Sequence, residues 1–270
     1  MGDRNQDTAT LTELAATHPL AQAMLAGLLF RGLCCTKDEP RALAYAQAAL
    51  PWLERRATAT APTLATLVSA SAPAPVPCKY ATYFLGMYYD FGIIKRRDVN
   101  EAARLYRISA DLGYSFAQCD LAWGYEMGEG VTRDFNESLR LLRLAVNQGC
   151  AMAQSNLGKW YELGFQGVLP VNMAEAIRLY RLAADQGLAA GTNNLGQCYL
   201  LGKGVSKNLM EATRLFLIAA KQGHSIAQYN LGCCYDTGDG VVKDLVQAKK
   251  YFALSAAQGY QLSIEKLRSR

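Results

Sequence analysis

The chain has 270 residues, 51% of them apolar, and 28 basic against 23 acidic residues leave a net charge of +5. That is ample material for a large core, but too mild a charge excess for the clustered basic face that nucleic-acid binding requires. No stretch approaches the ~18 uninterrupted apolar residues of a membrane span, and the start, MGDRNQDTATLTELAA, lacks the apolar core of a secretory signal.

Residues 1–16 read as an N-terminal tail and cap, with Thr10 and Glu13 spaced as a capping box. MGDRNQ offers half a myristoylation signal, because Gln6 stands where Ser or Thr is wanted. A motif then recurs. Its weakest copy is AQAMLAGLLFRG from Ala21, and five stronger copies begin at Ala81, Ala117, Ala153, Gly191 and Ala227, spaced 36, 36, 38 and 36 residues apart. Four residues into each copy comes Leu25, Leu85, Leu121, Leu157, Leu195 or Leu231. Next is a small residue: Ala26, Gly86, Ala122, Gly158, Gly196 or Gly232. Then come Leu29, Tyr89, Tyr125, Tyr161, Tyr199 and Tyr235. The spacing 0, +4, +8 is one helical face, and the small residues predict close approach of a second helix. A glycine ends this first helix, helix A, at Gly32, Gly92, Gly128, Gly164, Gly202 and Gly238.

A second helix, helix B, is predicted from its N-cap residues Asp38, Asp98, Asp134, Asn172, Asn208 and Asp244. Glu101, Glu137, Glu175, Glu211 and Gln247 follow three residues later, as in a capping box. Small residues at Ala102, Ser138, Ala176, Ala212 and Ala248 precede bulky ones at Tyr106, Leu142, Tyr180, Phe216 and Phe252. Residues 17–50 form a divergent first copy, and 80–259 hold the five regular ones. Between them lies an Ala/Pro/Thr-rich insertion, 51–79, read as a long extension of helix B or a loop and then a flexible connector; Pro51 is expected to end the preceding helix and 55–77 to be the least ordered internal segment. A two-residue insertion falls around Phe165–Pro170, and 260–270 read as a C-terminal capping helix.

One helix–turn–helix unit cannot bury its own apolar stripe, so neighbours must stack. The signature A-x-Y-N-L-G-x-x-Y-x-x-G-x-G-V, from Ala227 to Val241, resembles the Sel-one-like repeat family, relatives of the tetratricopeptide repeat. The resemblance implies an all-α fold: a right-handed α/α superhelix, or solenoid, of about six repeats of ~36 residues.

Candidate chemistry is sparse. His18 and His224, the only histidines, share a register with Tyr114, Cys150, Leu188 and Tyr260, which suits packing at a turn. The eight cysteines (34, 35, 78, 119, 150, 198, 233, 234) contain no C-x-x-C zinc spacing and read as reduced thiols of a cytoplasmic protein. None lies in a helix B, so the helix-pinning disulfides of the cysteine-rich branch of the family have no partner here. Gly202-Lys203-Gly204 lacks the strand and the G-x-x-x-x-G-K-[ST] spacing of a phosphate loop. Asp90, Glu126, Glu162 and Asp236 share one column and read as a solvated rim; Arg104, Arg140, Arg178, Arg214 and Lys250 read as i, i+3 partners of the helix-B glutamates. No cofactor, metal or catalytic constellation is predicted.

By the resemblance, the first helices line a concave groove that takes an extended peptide or a helix of a protein partner. The residues so placed are Tyr80, Tyr83, Phe84, Met87, Phe116, Trp123 and Met127, with Leu20, Met24, Phe30 and Phe91, in the N-terminal half, and Asn156, Lys159, Asn193, Asn194, Gln197, Tyr229 and Asn230 in the C-terminal half; Asp120 shares the register of the asparagines. Asparagine amides can donate to and accept from a peptide backbone at once. The expected role is an adaptor or scaffold and not an enzyme. The rivals are a weak hydrolase of the penicillin-binding kind and a nucleic-acid-binding solenoid.

Overall fold

Glycine stops and Asx caps cut the chain into short helices. The computed structural model describes residues 12–31, 39–57, 78–93, 96–165 and 167–269, which are helical with no β-strand among them. The named helices are α1 (Pro19–Arg31), α2 (Glu39–Ala57), α3 (Lys79–Phe91), α4 (Val99–Asp111), α5 (Ser115–Met127), α6 (Phe135–Asn147), α7 (Ala151–Leu163), α8 (Met173–Asp185), α9 (Ala189–Leu201), α10 (Leu209–Lys221), α11 (Ser225–Thr237), α12 (Leu245–Ala256) and α13 (Gln261–Arg268). Odd numbers up to α11 are helices A and even numbers are helices B. The chain divides into two compact units, Met1–Leu144 and Ala145–Arg270. In unit 1, α1 to α5 pack in sequence order, with α1 also against α3; in unit 2, α7 to α13 do the same, with α7 against α9.

Every helix B for which a cap is described starts on the predicted Asx residue. Asp98 accepts from the backbone N–H of Asn100 and Glu101, Asn208 from Glu211, and Asp244 from Val246 and Gln247. The reciprocal half of the capping box is replaced by something else. The N–H of Asp98 donates to the Tyr89 carbonyl at 3.0 Å, and Asp134, Asn172, Asn208 and Asp244 donate likewise to Tyr125, Tyr161, Tyr199 and Tyr235. Two groups that helix ends leave unpartnered, a C-terminal carbonyl of helix A and the N-cap N–H of helix B, thus satisfy each other. The glutamates are left to their arginines: Arg104 grips Glu101 with two bonds of 2.8 and 2.7 Å, and Arg140, Arg178 and Arg214 repeat the arrangement. These bonds hold Glu137, Glu175 and Glu211 below the usual carboxylate range.

The small-residue column allows the close approach expected of it. A Cβ on Gly86, Gly158, Gly196 or Gly232 would meet the ring of Tyr106, Tyr180, Phe216 or Phe252 at 2.7–2.9 Å. The second glycine of the G-x-G-V turn has a separate task. A Cβ on Gly130 or Gly240 would lie 2.0 or 2.1 Å from the Val99 or Leu209 carbonyl oxygen, so the turn of one copy sits directly on the helix-B start of the copy before.

At the larger insertion the helix B extends as one of the readings had it, but one expectation fails. Pro51 does not end its helix; α2 runs through it to Ala57. Ala42, Ala46, Ala49, Leu53 and Ala57 continue one buried stripe past the proline, and that burial outweighs the hydrogen bond Pro51 cannot make. Residues 58–77 lie outside the described residues, but their flanks meet: Cys78 N–H donates to the Arg56 carbonyl at 3.2 Å. In regular copies the N-cap residue of helix A makes the same closure, as His224 does to Ala219. The α2–α3 junction is thus closed by the same kind of bond as in the regular copies; the expectation for 55–77 falls almost wholly outside the described residues. The smaller insertion closes on itself through Phe165 N–H to Leu169 carbonyl at 2.8 Å, burying Leu169 and stacking Phe165 on Trp160 at 3.8 Å.

The histidine register is also corrected. His224 is not only a packing residue; its Nδ1 accepts from Ala227 N–H at 3.2 Å, capping α11. His18 Nδ1 accepts similarly from Leu20 N–H at 3.3 Å. Burial holds the His224 imidazole below the ordinary histidine range. With the folded value depressed, its contribution to stability is full above the unfolded-state value near 6.5 and is lost as pH falls through the folded value. Stability should therefore fall between pH 7 and pH 5, and His224→Leu, which places there the residue found at position 188, should flatten that fall. Urea titrations at the two pH values read it, and an equal fall in both proteins would exclude His224 as the group responsible.

Candidate binding faces

On unit 1, the predicted contact residues separate into two sets. Tyr83, Phe84 and Met87 are buried, at 4%, 8% and 2% exposure, so they are core and not contact surface. The rings of Tyr106, Tyr114 and Phe116 close over Tyr83, at centroid distances of 5.7, 4.9 and 6.5 Å. Trp123 and Met127, one helical turn apart on α5, are 44% and 42% exposed, as the register predicts. Two further aromatics of the predicted face are exposed, Tyr80 at 40% and Phe116 at 41%. Both stand immediately before their copy's start, at the outermost place of the predicted face.

On unit 2, Asn156 and Lys159 are exposed on α7, whereas Asn194, Gln197 and Asn230 are half-buried. The asparagines are not simply open. Asn230 Nδ2 donates to Asn193 Oδ1 at 2.9 Å, Asn193 Nδ2 to Asn194 Oδ1 at 3.3 Å, and Asn194 Nδ2 to Ser155 Oγ at 3.4 Å. In unit 1, Tyr83 Oη donates to Asp120 Oδ2 at 3.0 Å. One rule covers the inter-copy bonds: the residue before the core Leu of one copy bonds the residue two before the core Leu of the preceding copy. The column therefore links copies together. Reading single copies missed this, because the partner stands 37–39 residues away.

The carboxylate column is not a solvated rim. Asp90, Glu162 and Asp236 have side chains only 20%, 15% and 15% exposed. Tyr106 donates to Asp90 at 3.2 Å and Tyr180 to Glu162 at 2.9 Å, while Arg97, Lys203 and Lys266 supply cations to Asp90, Glu162 and Asp236 at 3.6, 3.0 and 3.6 Å. The reason is the bulky helix-B column, which brings a phenol to the carboxylate wherever it is tyrosine. Burial pushes the Cys198 thiol up to about 11 and Cys234 in the same direction, so neither is a poised nucleophile. All six cysteines within the described residues are thiols; Cys34 and Cys35 lie outside them. Among the described residues no group of His, Cys, Asp and Glu is placed to hold a metal ion, and no helix is long and apolar enough to cross a membrane.

Stacked helix–turn–helix units with ring-on-glycine packing define a helical-repeat protein of the solenoid class. The Sel1 repeat model matches residues 19–50, 79–114, 115–150, 151–188, 189–224 and 225–260, and the chain belongs to the Sel1 repeat family. Repeats of this family generally mediate protein–protein interaction, on a scaffold that is typically non-enzymatic. Among solved structures, the chain is similar to c5321, a protective antigen of uropathogenic Escherichia coli strains with an SLR fold, at 28% identity and TM-score 0.58 over 95% of this chain and 50% of that one. It is similar in fold to a Sel1 repeat protein from Oxalobacter formigenes (24% identity, TM-score 0.64, 100% of this chain and 70% of that one). It is also similar in fold to the immunity protein Pa5087 from Pseudomonas aeruginosa (18%, 0.55, 89% and 82%). The chain thus spans half the length of the Escherichia coli protein it matches. No protein of curated function matches it.

Proposed function

We propose that this protein is an interaction scaffold whose helix-A faces hold an extended segment or a helix of a protein partner. One observation carries the reading. Tyr80, Phe116, Trp123 and Met127 stay 40–44% exposed on two adjacent helices whose other large apolar residues are mostly buried. Exposed apolar surface rich in Trp, Tyr and Met is the composition of binding hot spots. Eight cysteines without C-x-x-C spacing and with none in a helix B favour a reducing, cytoplasm-like setting.

Affinity capture with identification of the bound protein by mass spectrometry would name the partner, and purified components then test the face. Trp123→Ala with Met127→Ala should weaken binding at least about tenfold without changing helical content. Asn156→Ala, at an exposed amide, should weaken it by a smaller factor. A partner indifferent to all three positions would place binding elsewhere and remove the reading.

A further inference from the structure

The exposed aromatic face of unit 1 has an acidic cleft at its centre. Asp90, Tyr106, Asp120, Trp123 and Glu129 line it. In a chain of net charge +5, the carboxylates of Asp90, Asp120 and Glu129 converge here, and Arg97 lies 2.7 Å from Glu129 and 3.6 Å from Asp90. The phenols of Tyr83 and Tyr106 donate to Asp120 and Asp90 at 3.0 and 3.2 Å, orienting those carboxylates without adding positive charge. On one side of Asp120 stands the half-exposed ring of Trp123. On the other, Tyr83 passes into the Tyr114, Phe116 and Tyr80 cluster, with Tyr114 5.6 Å from Phe116 and 5.1 Å from Tyr80.

We propose that this face receives a partner peptide that seats an arginine in the cleft, its guanidinium between the Asp120 carboxylate and the Trp123 ring, and packs a neighbouring apolar residue on Tyr80 and Phe116. The proposal rests on the scaffold reading above. Charge complementarity selects a basic side chain, and the combination of carboxylate and indole selects arginine over lysine. A planar guanidinium forms directed bonds in its plane and stacks through its faces, whereas an ammonium is a compact, strongly hydrated point charge.

A phage-displayed library of random twelve-residue peptides, panned on the full chain, tests both statements. The peptides selected should share an arginine beside an apolar residue. Synthetic copies should lose about ten- to a hundredfold in affinity on Asp120→Asn, or on Arg→Gln in the peptide, and little more when both changes are combined. The asparagine still accepts from Tyr83, so the fold should persist. Should it lose helicity, Trp123→Ala at an exposed ring gives the same readout. Peptides that bind without a basic residue, or that are indifferent to both variants, overturn the arginine seat and leave the scaffold reading standing. A folded chain that selects no peptide at all overturns both.

Discussion

Gly240→Ala is expected to destabilise the C-terminal copies by about 2–5 kcal/mol, among the largest losses available to a single added methyl group. Two costs add. The backbone at Gly240 has φ +68, where an L residue costs about 1–2 kcal/mol. The new Cβ would also lie 2.1 Å from the Leu209 carbonyl oxygen and 2.7 Å from Met210 N. Those atoms belong to the first turn of α10 and cannot swing away as a side chain does, so the two copies must separate, an overpacking cost of about 1–3 kcal/mol. Gly259→Ala is the internal control. It has φ +82 with nothing within 4 Å of the added Cβ, so only the backbone term of about 1–2 kcal/mol applies. Urea denaturation followed by circular dichroism compares them. Because repeat arrays need not unfold as one unit, hydrogen exchange of α10 to α12 locates the loss. Equal destabilisation of the two variants would show that the turn-on-helix contact carries no weight.

The second large effect concerns Phe216, which is fully buried and stands in contact distance of Gly196. Phe216→Ala should cost about 3–5 kcal/mol. Gly196→Ala should cost about 1–3 kcal/mol, since its Cβ would meet Phe216 Cε1 at 2.8 Å. The chain itself suggests the remedy. Where the small residue is glycine the helix-B residue is aromatic, and where it is Ala122 the helix-B residue is Leu142. Gly196→Ala combined with Phe216→Leu reproduces that second pairing and should be more stable than the two single changes predict, with a coupling of about 1 kcal/mol or more. Additive losses would mean that the two columns do not set each other's size.

The repeat, its period and both helices of each copy were legible because each is written locally. Leu, the small residue and Tyr mark one face of helix A; Asx caps and glycine stops mark the ends. The close approach of helix B at the small-residue column was legible too; that a helix-B ring lies against each glycine of that column was not. The capping box was half legible. Asp98 and its counterparts cap as their type requires, but no local rule shows that the Tyr89 carbonyl waits for the Asp98 N–H. The exposure of Trp123 and Met127 was legible in register. That of Tyr83 and Met87 was misread, because what covers a helix face depends on side chains from other helices.

By itself, then, the sequence determined the all-α repeat, because a period of about 36 residues with caps and stops at fixed places leaves no other way to bury one apolar stripe per copy. Only the tertiary structure decided which polar residues are spent on holding copies together. Asn230, Asn194 and Asp120 bond residues 37–39 positions away, and Asp90 and Glu162 accept from phenols on the following helix. The first three pairs meet only after the copies have stacked, and the phenols reach their carboxylates only after helix B has packed on helix A of the same copy. A polar column that looks solvated in the sequence is therefore spent on bonds within and between copies, and the surface left for a partner is what that packing does not use.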